Sequence, residues 1–218
     1  MSAMDLSKMG NAKVVLNTSD CNHIVIEKWP VSDVEWAFYL YAATELNQAG
    51  IATPTLLSAD ATLRKLRLEY IPYKVNQTAV ANDYAIAMLG RLHRYPANSE
   101  WLYHTHTWTE TALENALMLL ALPEKNARQL RRFQQNSNAL FACQSLVSGD
   151  SNAGNWGRRE SGNLVLFDWE RFGKGSPALD LAPLIRGMGT KQEFIDLAGR
   201  YCQLSSHQNI RELAREIA

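Results

Sequence analysis

An aspartate and an asparagine five residues apart, Asp150 and Asn155, share the loop Ser148-Gly149-Asp150-Ser151-Asn152-Ala153-Gly154-Asn155 and can face a common point. A third oxygen ligand, Asp168, closes the apolar run Leu164-Val165-Leu166-Phe167 and is followed by Trp169-Glu170. Two such ligands suit Mg2+ beside a nucleotide phosphate, because this ion takes few protein oxygens and fills its shell with water and phosphate. A carboxylate left off the metal can orient or deprotonate an attacking hydroxyl, as phosphoryl transfer requires. Standing alone, Asp150 and Asn155 fit an Asx-rich turn equally well. The order Asp150, Asn155, Asp168, Trp169, Glu170, Asp180 is what favours chemistry over a turn.

These residues need a scaffold, and the chain's patterning supplies one. Residues 12–16 and 23–28 read as short strands, joined by the turn-forming stretch Asn17 to Asn22. Pro30 ends the second strand, and Ser32 or Asp33 can cap a helix carrying Trp36, Tyr39, Leu40, Ala43 and Leu46 at helical spacing. Gly50 stops that helix. Residues 55–58 and 63–71 read as two further strands. From about residue 78 the pattern turns helical, with Tyr84, Met88, Leu89 and Leu92 on one stripe and helical stretches over 110–121 and 124–144. The loop Gly149–Gly157 and the strand ending at Asp168 interrupt it, and helix returns from Asp180. Strands first and helices later predict an α+β fold of two lobes, residues 1–72 and 73–218, with a cleft between them.

Composition narrows the function classes. The 218 residues are 46% hydrophobic and 20% charged, a globular balance, and the net charge is zero. A nucleic-acid binder shows a basic stripe, and none is visible; Arg128, Arg131 and Arg132 read as a solvated helix face. No apolar run approaches the ~20 residues that span a bilayer, and the first residues lack a secretory pattern. Cys21, Cys143 and Cys202 form no CxxC pair, which argues against a disulfide framework or zinc knuckle and for a cytoplasmic protein. Oligomeric state is not legible.

The Gly-Asp-x-x-x-Gly-Asn loop, the strand ending in Asp168-Trp169-Glu170 and the later Gly175-Ser176-Pro177-Ala178-Leu179-Asp180-Leu181-Ala182 resemble the aminoglycoside phosphotransferase and choline kinase family. The resemblance implies a protein-kinase-like fold and transfer of phosphate from ATP, with Mg2+, to a hydroxyl of an amino alcohol, aminoglycoside or sugar. It implies that Asp150 is the catalytic base or hydroxyl-orienting residue, that Asn155 and Asp168 hold the metal, and that Asp180 braces the loop. Upstream, it makes Lys28 the phosphate-binding lysine, Glu35 its partner, and Glu69-Tyr70-Ile71 the hinge on which adenine rests. Leu89-Gly90-Arg91-Leu92-His93 resembles the first helix of the larger lobe.

Three departures stand out. Ser148 replaces the family's loop histidine, Met9-Gly10-Asn11 is a thin phosphate-covering loop with no GxxxxGK[ST] pattern, and the stretch after Asp180 is short. They keep a second reading open, a nucleotide-binding regulator or pseudokinase without transfer. His104-Thr105-His106 offers two metal-type ligands but no third nearby. Trp101, Trp108, Trp156 and Trp169 fit core or cleft packing, or else an aromatic cage for a quaternary ammonium.

Overall fold

The structure, a computed structural model, describes residues 4–7, 12–18, 24–205 and 209–218. A five-stranded antiparallel sheet is built from β1 (Met4–Asp5), β2 (Lys13–Thr18), β3 (Ile24–Trp29), β4 (Leu56–Asp60) and β5 (Lys65–Glu69), in the order β1-β2-β3-β5-β4. Between β3 and β4 the chain forms α1 (Asp33–Ala37), a π-helical segment over Phe38–Ala42, and α2 (Ala43–Gln48). Of the two expected caps Ser32 is the one used: its hydroxyl accepts from the Glu35 amide at 3.1 Å. Asp33 instead pairs with Arg64. The π segment turns the successive residues Phe38 and Tyr39 both inward.

After β6 (Tyr73–Lys74) the chain is helical: α3 (Gln77–Val80), α4 (Asp83–Arg94), α5 (Glu110–Leu120), α6 (Glu124–Asn136) and α7 (Asn138–Ala142). The expected helix over 124–144 is broken at Ser137, whose hydroxyl donates to the Gln134 carbonyl at 2.7 Å, and the chain is extended by Cys143. Then come β7 (Leu146–Val147), the loop, β8 (Trp156–Arg158), β9 (Leu164–Leu166) and β10 (Gly173–Lys174). The helix expected from Asp180 onward is interrupted too. The helix α8 (Ala178–Leu181) passes into a 3-10 turn containing Pro183, and left-handed glycines at 187 and 189 precede α9 (Lys191–Ser205) and α10 (Ile210–Ile217).

Two small sheets carry the loop. One is the pair β10-β7; the other is β6-β8-β9, in which Trp156 faces Leu166. One continuous apolar cluster joins the large sheet's helix to the helical part, running from Phe38 and Leu46 through Leu89 and Leu92 to Trp169, Phe172 and Tyr201. At its centre Phe38 stacks on Trp169 with ring centroids 4.3 Å apart. That stack fixes the helix bearing Glu35 against the segment bearing Asp168.

Candidate active site

The site begins with a lysine that has two acidic partners. Lys28, near the end of β3, reaches Glu35 Oε1 at 2.8 Å and Oε2 at 2.7 Å, and Asp168 Oδ1 at 2.7 Å. Glu35 is only 1% exposed. Burial pushes its carboxyl up to about 7; Lys28 pulls it back, while Asp168 and Glu170 push the same way as burial. Burial alone would lower Lys28, but Glu35 and Asp168 outweigh it and hold the ammonium above its ordinary value. Asp168 itself adopts a left-handed backbone, φ 67°, uncommon for a residue with a side chain and found where a site dictates the conformation.

Asp168 and the loop are neighbours through the β8–β9 hairpin. The Phe167 amide donates to the Asn155 carbonyl at 2.9 Å, immediately before Asp168. The Asn155 side chain donates Nδ2–H to the Asp150 backbone carbonyl at 3.0 Å, which pins its amide across the loop. Asp150 keeps its carboxylate at the loop, where Oδ1 accepts from Asn152 Nδ2 at 2.5 Å. Among the described residues, Glu35, Asp168 and Glu170 bring carboxylate oxygens within 4.8 Å of one another. Asp150 is not one of those three.

Asp180 is fully buried and organises the loop from α8. Its carboxylate accepts from the Ser148 amide at 2.8 Å, the Ser148 hydroxyl at 2.8 Å, the Gly149 amide at 2.9 Å and His93 Nε2 at 3.1 Å. The other ring nitrogen of His93 meets the Tyr201 hydroxyl at 2.9 Å. Ser151 donates to the Asp180 carbonyl as well. The serine in the histidine's place therefore belongs to the brace rather than leaving a gap in it.

The expected hinge, Glu69-Tyr70-Ile71, is half-buried and follows β5, the strand that pairs with the Lys28 strand β3. Glu69 is committed to structure: it meets Arg159 Nε at 2.6 Å and Nη2 at 2.8 Å, and accepts from the Thr55 amide at 3.0 Å. Burial raises its carboxyl, but Arg159 and Thr55 outweigh this and hold it below the usual range. Ile71 packs against Gly157, where a Cβ would come within 2.6 Å of its Cγ2. The Met9-Gly10-Asn11 loop lies outside the described residues.

Beside the loop is a pocket of about 390 Å3, lined by the segment His104-Thr105-His106-Thr107 and by Gly149 and Arg171. His104 and His106 rings meet edge to face at 4.8 Å. Among the described residues no third His, Cys or carboxylate joins them as a metal ligand. The aromatic-cage alternative fails on burial: Trp101, Trp156 and Trp169 lie in the core, and Trp108 packs on the separate cluster of Leu113, Leu117 and Ala127.

Sequence reasoning missed Glu170 as a third carboxylate, although it stood in the Asp-Trp-Glu phrase. It also missed the brace role of His93 and the Arg159 partner of Glu69, and it weighed His106 only as a metal-type ligand. His93 meets Asp180, 87 residues downstream, and His106 lies against Gly149 of the loop, so no local spacing signals either contact.

The fold is shared with solved phosphotransferases. The choline kinase LicA from Streptococcus pneumoniae superposes with a TM-score of 0.68 at 18% identity, over 100% of this chain and 80% of that one. A streptomycin–ATP–APH(2")-IIa ternary complex gives 0.66 at 16% identity, over 100% and 81%. A choline/ethanolamine kinase family protein from Mesorhizobium loti gives 0.59 at 17% identity, over 100% and 86%. These likenesses define the class: a protein-kinase-like α+β phosphotransferase fold. No curated protein matches the sequence. Residues 7–215 match the model of the phosphotransferase enzyme family, and the chain belongs to that family.

Proposed function

We propose that this phosphotransferase transfers the γ-phosphate of ATP, with Mg2+, to a hydroxyl of a small molecule. The observation that carries the reading is Lys28 held between Glu35 and Asp168, on the strand hairpin that also fixes Asn155 and Asp150. In this reading Lys28, oriented by Glu35, binds nucleotide phosphates. The backbone of Glu69, Tyr70 and Ile71 holds adenine, and the lobes divide near residue 72. The ATP in the APH(2")-IIa complex and the AMP in a LicA complex support nucleotide as the donor.

The donors on offer are the Asp168 carboxylate, the Asn155 amide oxygen and the exposed Glu170 carboxylate, all hard oxygens that fit Mg2+. Asp168 and Asn155 would hold the ion, which when bound neutralises charge on the phosphates. Asp150 receives or directs the hydroxyl proton while the acceptor oxygen bonds to the γ-phosphorus and the bond to the β-phosphate oxygen breaks, releasing ADP. Entering phosphates compete with Asp168 for the Lys28 ammonium, so that contact weakens as nucleotide binds. A cytoplasmic location, where thiols stay reduced, suits the free Cys143 and Cys202.

The test is ADP release with a panel of small alcohols, amino alcohols and sugars. Asp150→Ala is expected to lower kcat roughly 10²–10⁴-fold, the usual range for a proton-transfer group. Asp168→Ala is expected to abolish metal-dependent turnover. Turnover that survives both substitutions refutes the mechanism. The rival, a nucleotide binder without transfer, drew on Ser148, the thin glycine loop and the short stretch after Asp180; the two Ser148 bonds to Asp180 weigh against the first of these grounds.

A further inference from the structure

The pocket beside the loop has a chemical character of its own. Its floor is Gly149, next to Asp150, and one wall is Arg171, three residues beyond Asp168. Among the described residues no aspartate or glutamate lines it; its polar side chains are those of Arg171, His104, His106, Thr105 and Thr107. Among the described residues Arg171 has no carboxylate partner.

His106 is a built part of this wall. It is 8% exposed, and its Nε2 is buried without a hydrogen-bond partner. The ring fits between two glycines: a Cβ on Gly149 would lie 2.6 Å from Cε1, and one on Gly173 would lie 2.7 Å from Nε2. Burial, and then Arg171, keep His104 below its ordinary value, with Glu170 opposing. Burial, His104 and Arg171 do the same to His106, against Asp180 and a backbone hydrogen bond at Arg171. Asp180 has no oxygen free to accept a hydrogen bond from a ligand, since its acceptor positions are filled by four donors.

We propose that this pocket receives an oxyanion of the acceptor, a carboxylate or phosphate carried near the hydroxyl that is phosphorylated. The inference rests on the reading of Asp150 as the hydroxyl-orienting residue. An unpaired guanidinium is a fork-shaped donor set that matches such oxyanions. An ammonium in the same place would face Arg171 with no carboxylate and no aromatic cage, an arrangement that rejects it.

The first experiment needs no turnover. The full chain, labelled in its histidines, is titrated with inorganic phosphate, with glycerate, with glycerol and with sodium chloride while the imidazole carbon resonances are followed. Saturable shifts of His104 and His106 with phosphate or glycerate, absent with glycerol and chloride and lost in Arg171→Ala, are expected; His93 serves as the internal reference. Absence of a saturable shift with both oxyanions, or equal shifts with chloride, overturns the proposal.

The second experiment measures ADP release with glycerate, glycerol 3-phosphate, glycerol and ethanolamine. The better oxyanion is expected to exceed glycerol in kcat/KM by about tenfold or more, the scale of one charge-assisted contact. Arg171→Ala should collapse that ratio, and Arg171→Lys should restore part of it. Preference for ethanolamine, or a ratio untouched by Arg171→Ala, overturns the proposal. Lack of turnover with every acceptor strikes at the kinase reading instead, and the titration still decides the pocket.

Discussion

Asp180→Asn is the sharpest probe of how the loop is held, because it changes charge and one donor–acceptor role while keeping the side chain's size. In the wild type Oδ1 accepts from the Ser148 hydroxyl and the Gly149 amide, and Oδ2 from the Ser148 amide and His93. The best placement of asparagine puts its oxygen at Oδ1 and its NH2 at Oδ2. His93 can adapt by switching tautomer, since Tyr201 OH can donate as well as accept. The Ser148 amide cannot adapt and is left facing a donor. A buried donor without an acceptor costs about 1–3 kcal/mol, and the two bonds that remain lose their charge assistance. The sum is about 3 kcal/mol, a large share of a typical domain's stability. With a urea m-value of about 2–3 kcal/mol per molar, the unfolding midpoint should fall by about 1 M with m unchanged. Activity should fall further than the folded fraction accounts for, because Ser148, two residues before Asp150, loses the anchor of its amide. A midpoint shift below about 0.3 M would refute the reasoning, since such a shift is too small for a stranded buried amide.

Two further outcomes follow from the same geometry. Glu35 has a folded value of about 7 against 4.5 for the free side chain, so the folded state holds its proton more tightly. The stability this gives is complete below pH 4.5 and disappears as pH rises through about 7. The slope is at most about 1.4 kcal/mol per pH unit. Urea midpoints measured across that range should decline less steeply in Glu35→Gln than in the wild type; parallel curves would contradict the assignment. The depressed histidines act with the opposite sign and cancel in the comparison. Gly149→Ala places a methyl 2.5 Å from the Arg171 carbonyl and 2.6 Å from His106, at a φ of 76°. It should cost about 3 kcal/mol or more, whereas Gly162→Ala, in open space at φ 89°, should cost only the backbone term of about 1–2 kcal/mol. Equal losses at the two positions, by chemical denaturation, would show that crowding at the loop is not what demands glycine.

Local pattern and tertiary placement divided the work between them. The hairpin strand ending at Asp168, the helix capped at Ser32 and the α+β order of strands and helices are local matters, set by apolar periodicity and capping chemistry that act within a few residues. So is the oxygen-rich loop itself. The break at Ser137 and the irregular stretch around Gly187 and Gly189 were hidden, because both depend on how the flanking helices pack rather than on the preferences of those residues. Lys28 could be named from its motif, but its grip on Asp168, 140 residues away, exists only because the Phe38–Trp169 stack brings the helix and the hairpin together. The same holds for His93 and Ser148 meeting on Asp180, and for His106 lying against Gly149. Sequence by itself determined which side chains could do chemistry. Which of them meet, and which are buried enough for their charges to be felt, was decided by the packing of a core whose contacts join segments far apart along the chain.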